Sequence, residues 1–598
     1  MYTRFSPVCF FALATILGTA ATAVAAELPA ALEPPVALPA YTVTDSRGLP
    51  PPEAWRYAQI PGFEVLSNAS DRETGKLLRD FQLFNQAIGV IWPALLNNSS
   101  GPVSLIICGR GGKFDDFVPK GTATGPMEAH SSLFFSTPEH SAIVVDFQTR
   151  DIVLAGLEAE NASGVPNSGT MEVDPYKQLY REYVHALMAR TSPRLPAWCE
   201  EGLVQLVMGM KFDRRSIEFA KLEDPNAVSV AQFLAASENA ASEAAGEVAT
   251  ATAAAEDQDF NAALQRRALM PLQEMFAVAH DSPVARNPLH SSWAKQSAAF
   301  VHLCLYGENQ RFQKGFLTFL LRGAKEPVTE ALFQECFGLT YKKMLVELRG
   351  YIDFTNYKSI QMIAKKGGEI PEPAPLVLRA ATEAQVGRIK GDAQEMAGRT
   401  DDARRTFLAA YARGERDPAL LAALGLHEHA AGDDERAQKF LEAATAAGVV
   451  RPRAYLELAR LRYSAAVAKP AGAAGKLSDA QTAGIATPLL VARSQPPALP
   501  EIYLLLADTL VLGAGSPPRE TLQVLLDGVN LFPRRLGLAY QTAVLCARAG
   551  ELKGAAALIE LGLRTSPDDK TRTLFAELKA SLPPLPAAAP APLQKTKS

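Results

Sequence analysis

The sequence is short of the features that announce several common classes of protein. After Ala26 it has no apolar run long enough to span a bilayer, so the mature chain is expected to have no transmembrane segment. Its net charge is only −4 over 598 residues, and no long basic block lies outside the termini. Nucleic acid and anionic membrane surfaces are therefore not the indicated partners. Cysteine is sparse: apart from Cys9, only Cys108, Cys199, Cys304, Cys336 and Cys546 occur, widely spaced and odd in number. That excludes a disulfide framework or a cysteine-based zinc site and leaves most of them as small buried apolar residues. Gly109-Arg110-Gly111-Gly112 lacks the Lys-Ser/Thr of a phosphate loop and reads as a turn. No Ser/His/Asp or Cys/His set is readable from spacing.

What is present begins with an address. Arg4, an apolar run from Val8 to Leu17 and the small residues Ala23-Val24-Ala25-Ala26 have the layout of a cleavable secretory signal over residues 1–26. Cys9 lies early in the apolar run, not at its small-residue end, so a lipoprotein is not expected. The expectation is export to a periplasmic or extracellular location, associated with the cell envelope. The length implies more than one core. A proline-rich linker (27–52) is expected to precede an α+β region (53–355). An Ala/Glu/Ser-rich insertion at 235–257, without aromatics, interrupts that region. Within it, Phe81 to Trp92 has helical spacing, whereas Val103–Cys108 and Ser141–Asp146 are β-branched runs bounded by turn formers. A proline- and alanine-rich tail (583–598) is expected to be disordered.

The chemistry-bearing segment is Arg181-Glu182-Tyr183-Val184-His185, followed sixteen residues after His185 by Glu201. Asp174-Pro175 starts a helix, with Asp as N-cap and Pro in the first turn, and Tyr176, Leu179, Tyr180, Tyr183 and Leu187 continue it. Residues 181 and 185 then lie one turn apart on one face. Thr191-Ser192-Pro193 breaks the helix, and Trp198-Cys199-Glu200-Glu201-Gly202-Leu203 opens the next. Further on come Trp293, Ser297, Ala298 and His302-Leu303. Together these residues resemble gluzincin-type, peptidase-MA-like domains, a zincin-like α+β fold whose intact motif is His-Glu-x-x-His with a third ligand downstream. The resemblance places Glu182 at the general-base position and His185 and Glu201 at metal-ligand positions, with Zn2+ as the implied ion. It places Arg181 where the first imidazole belongs.

A guanidinium has no lone pair and stays protonated, so Arg181 cannot ligate zinc. Three outcomes follow, the plainest being that the helix pair is only structural and the match coincidental. Arg181 can pair with Glu201, or with Glu182 or Glu200, leaving a metal-free, non-catalytic binding or scaffold module. Alternatively, His130, His140 or His302 supplies a substitute ligand and the chain is an active zinc metallopeptidase.

Beyond residue 370 a 34-residue period appears. Gly398 and Ala403 recur at Gly432 and Ala437, Pro418 at Pro452, and Pro533 at Pro567, while Gly550 and Ala555 keep the same offset. This region (370–582) resembles tetratricopeptide repeats, which implies an all-α solenoid that takes a protein or peptide partner. A Pro/Ala/Gly-rich stretch from Lys469 to Pro500 is expected to spoil one unit. His427-Glu428-His429 reads as surface decoration.

Overall fold

The computed structural model describes residues 37–40 and, with gaps, 51–583; the longest gaps are 121–131, 155–168 and 220–263. The expected signal, most of the linker, the 235–257 insertion, His130 and all but the first residue of the tail lie outside the described residues. The described residues form two compact units, one within Pro51–Thr406, the other of Ala37–Ala40 and the described residues from Phe407 on.

The first unit is built on a mixed sheet. Its strands are β1 (Arg56–Ile60), β2 (Phe63–Ser67), β3 (Val103–Cys108), β4 (Ser132–Ser136), β5 (Ser141–Asp146) and a late arrival, Arg379–Ala380. From one edge the order is Arg379–Ala380, β1, β2, β3, β5, β4. The pairings β2–β3 and β3–β5 are parallel and the others antiparallel. Both β3 and β5 are buried along their whole length, the burial that parallel strands covered on both faces require. Their side chains alternate between two cores: Val103, Leu105, Ile107, Ile143 and Val145 face one, Ile106, Cys108, Ala142 and Val144 the other.

The larger core is roofed by helices. α1 (Asp71–Ile91) starts at a capping box formed by Ser70 and Glu73 and buries Leu77, Leu78, Phe81, Phe84 and Ile88. α2 (Pro175–Ala189), α3 (Ala197–Met208) and α4 (Ser292–Tyr306) complete that side. Asp174 accepts a hydrogen bond from the Tyr176 amide at 2.9 Å, so Asp-Pro caps α2 as its residue types require. The smaller core is covered by α5 (Glu383–Met396), which inserts Val386, Ile389 and Ala393. Lys390 anchors it, pairing with Glu53 at 2.9 Å and Asp116 at 2.8 Å, while Trp55 Nε1 donates to Glu53 at 2.6 Å. The region expected to be repeats from residue 370 thus begins inside the first unit, because α5 and Arg379–Ala380 finish its sheet and second core.

From Phe407 on, the regular structure described in the second unit is helical. The helices Pro418–Ala430, Asp434–Ala446, Pro452–Ala468, Asp479–Ala492, Pro500–Leu512, Arg519–Leu531, Leu536–Arg548, Leu552–Thr565 and Asp569–Ser581 follow one another, with packing between sequence neighbours. The period has a backbone cause. Gly398, Gly432 and Gly550 end helices with φ of +71°, +85° and +80°, a left-handed conformation that side chains resist. Two expectations need correcting. Lys469–Pro500 keeps its helix, Asp479–Ala492, because Ser478 and Gln481 form a capping box that restarts it. His427 is only 6 % exposed and lies edge-on to Phe407, since a helix inside a repeat stack is buried on more than one side. Among the described residues no helix is long and apolar enough to cross a membrane.

Candidate functional site

α2 and α3 bring the sequence-predicted residues together. Arg181 is 7 % exposed and lies between two carboxylates: Nη1 donates to Glu182 Oε1 at 3.3 Å and Nη2 to Glu201 Oε2 at 3.5 Å. His185 Nε2 stands 3.4 Å from the same Glu201 oxygen, within ion-pair distance but not aligned as a hydrogen bond. Gln205, one turn along α3, donates to the other Glu201 oxygen at 2.8 Å. Glu201 is 1 % exposed. Burial alone would raise its pKa, but the Arg181 charge, with His185 and Gln205, overcomes that and holds the carboxyl at about 2. Burial likewise disfavours the Arg181 cation, and Glu201 and Glu182 more than offset it, so its pKa is raised.

The neighbouring residue of α3 builds a second, separate pairing. Glu200 accepts from Arg194 Nε at 2.8 Å and Nη2 at 3.0 Å, and its Oε2 lies 3.2 Å from His280 Nε2. Burial raises its pKa, and His280 and Arg194 together bring it below the ordinary value. Consecutive residues on a helix diverge by about 100°, so Glu200 and Glu201 each meet one arginine and one histidine of their own. Two carboxylates that look redundant in sequence therefore serve different partners.

Two contributors escaped sequence reasoning. Ser132, on the edge strand β4, donates to Glu182 Oε1 at 3.0 Å; nothing in the spacing of residues 132 and 182 signals that contact. His280 precedes a short helix in a segment with no motif of its own. Gly202 was visible as part of the motif, and its function is steric. A Cβ there would stand 2.5 Å from Val301 Cγ2 and 2.8 Å from the Ser297 carbonyl oxygen, so α3 and α4 cross where only glycine fits.

The donor set does not suit zinc. His185 Nε2 and Glu201 Oε2 are the two available ligand atoms, and the guanidinium of Arg181 already sits on that carboxylate oxygen. His140 is engaged with Ser104 Oγ at 2.9 Å and His302 with the Tyr351 hydroxyl at 2.7 Å. Among the described residues no three His, Cys, Asp or Glu side chains converge as a ligand group. Cys199 is buried, and burial followed by the Glu200 charge pushes its thiol up, away from a reactive thiolate.

No family model matches the chain, and no curated protein does. Solved structures that it resembles include three proteins, two of them described as TPR proteins. They are YrrB, described as a TPR protein with an unusual peptide-binding site (13 % identity, TM-score 0.25), a thermophilic TPR protein of Thermus thermophilus (18 %, 0.22) and pilF of Pseudomonas aeruginosa (14 %, 0.24). They cover 32 %, 33 % and 33 % of this chain and 90 %, 99 % and 89 % of their own length, respectively.

Proposed function

We propose that this chain is an exported, peptidase-like protein without catalytic metal, a binding or scaffold module of the cell envelope whose helical-repeat unit receives a protein or peptide partner. The observation that carries the first half is Arg181 paired to both Glu201 and Glu182 in a buried site. A fixed cation there neutralises the carboxylates that a metal would otherwise neutralise, and it offers no position for an activated water. The support for the second half is architectural. Stacked helix pairs present a continuous side-chain surface assembled from many short elements, which suits recognition of an extended partner.

Metal content of the purified chain and its hydrolysis of unstructured peptides test the reading. Zinc well below one equivalent and no hydrolysis above that of Glu182→Gln are expected, while Arg181→His should gain zinc. Stoichiometric zinc in the natural chain, with hydrolysis abolished by Glu182→Gln, would overturn the proposal in favour of an active enzyme with a substitute ligand.

A further inference from the structure

Four residues from the N-terminal segment are seated on the second unit. Ala37-Leu38-Pro39-Ala40 belongs to that unit although more than three hundred residues separate it from the repeats in sequence. The Tyr411 hydroxyl donates a 2.8 Å hydrogen bond to the Pro39 carbonyl. Leu38 and Pro39 are half-buried, whereas Ala37 and Ala40 on either side are exposed.

The receiving side chain is held in place by two neighbours. Tyr411, near the C-terminal end of the helix Thr400–Ala412, is buried, and its ring meets Phe440 edge-on at 5.3 Å. The Arg416 guanidinium lies over that ring, 3.8 Å from its centroid, and is itself fixed by donating to the Tyr411 carbonyl at 2.7 Å. The ring that carries the hydroxyl is thus positioned by contacts other than those to Pro39.

The ligand is equally well suited to such a site. Proline fixes φ and drives the preceding leucine into extended conformations, so a Leu-Pro step loses little freedom on binding. Proline also has no N–H, which leaves its carbonyl as the polar handle, and that is the atom Tyr411 takes. The triplet Leu-Pro-Ala recurs in both terminal segments of the chain, at Leu28–Ala30 and Leu585–Ala587, as well as at Leu195–Ala197 where α3 begins.

We infer that Tyr411 and its surroundings form a binding site for an extended Leu-Pro peptide, filled in cis by the chain's own Ala37–Ala40. The inference deepens the reading of the repeat unit as an interaction module, on which it rests, by naming the class of peptide that the unit takes. The cis segment acts as a built-in competitor, so a free peptide of the same chemistry meets an occupied site.

The test uses the full-length chain and a fluorescein-labelled peptide of sequence Glu33–Tyr41, read by anisotropy. The natural chain should bind weakly. Leu38→Asp, which disables the tethered competitor at a position outside the folded helices, should bind about tenfold more tightly or better. Adding Tyr411→Phe to that variant keeps the ring and removes one hydrogen bond, and should weaken binding about fivefold. Equal affinity of the natural and Leu38→Asp chains overturns cis occupancy. Absence of binding to Leu38→Asp, or indifference to Tyr411→Phe, overturns the site. Either failure leaves the metal test of the wider reading untouched.

Discussion

Arg181→Met is the most informative single change. The substitution keeps much of the side chain's volume and removes its charge, leaving Glu201 and Glu182 buried without their shared cation. Breaking a buried pair from one side costs about 3–5 kcal/mol. The Glu201 shift gives a figure of the same size: moving a carboxyl from 4.5 to about 2 corresponds to about 3 kcal/mol at neutral pH. In the natural chain the folded pKa of Glu201 lies below its ordinary value. Its stabilisation is therefore fully present above pH 4.5 and is lost as pH falls toward about 2. In Arg181→Met, burial is opposed only by His185 and Gln205, so the folded pKa moves up from about 2 and the stabilisation present at neutral pH shrinks. All four tryptophans, Trp55, Trp92, Trp198 and Trp293, lie in the first unit, so guanidinium unfolding followed by tryptophan fluorescence reads that unit alone. The variant should lose about 3–5 kcal/mol at about pH 8 and distinctly less at about pH 4. Glu201→Gln added to Arg181→Met should recover part of the loss. Equal stability of the natural and Arg181→Met chains at about pH 8, or a deficit that does not change with pH, would refute the reasoning.

Three further changes probe the scaffold around the site. Ser132→Ala removes the hydroxyl donor to buried Glu182 and should cost about 1–3 kcal/mol by the same fluorescence assay, with Ser132→Thr recovering part of it. Gly202→Ala forces a methyl against Val301 and the Ser297 carbonyl, and a loss of about 1–3 kcal/mol is expected even though alanine favours helix. An unchanged midpoint would mean that α3 and α4 separate freely there. Lys390→Met removes the cation shared by Glu53 and Asp116 and leaves Glu53 with Lys113 and Trp55. For Glu53 burial raises the pKa and the lysines and Trp55 bring it down to about 2, so this stabilisation is present above pH 4.5 and disappears as pH falls toward 2. The midpoint difference between Lys390→Met and the natural chain should therefore shrink on acidification, and a difference that grows would contradict the assignment.

Local physics made part of this molecule readable in advance. Asp174-Pro175 specifies a helix start through a side-chain cap and a fixed φ, and β3 and β5 announce themselves as unbroken β-branched runs. The placement of Arg181 against Glu201 was legible because both sit at fixed offsets on two consecutive helices, so a charge argument suffices. The Ser132 contact to Glu182 was not, since it depends on which strand forms the sheet edge. Nor was the destination of α5. Its sequence satisfies a repeat helix and a sheet-covering helix equally, and only tertiary packing selects the second. His427 misled for a related reason, because exposure in a stacked array is set by neighbouring helices and not by a residue's polarity.

The strand Arg379–Ala380 and the helix after it bear on how such a chain can be assembled from parts. A gene cut at residue 355 would release a polypeptide with β1 as a bare edge, able to pair with any extended strand it meets, and with Trp55, Leu66 and Val144 open to water. The seam that composition suggests is thus not a viable recombination point. Exchange of the repeat array for another would have to begin after α5, and inheritance of the two halves is coupled by residues 370–406, which read as belonging to one and fold as part of the other.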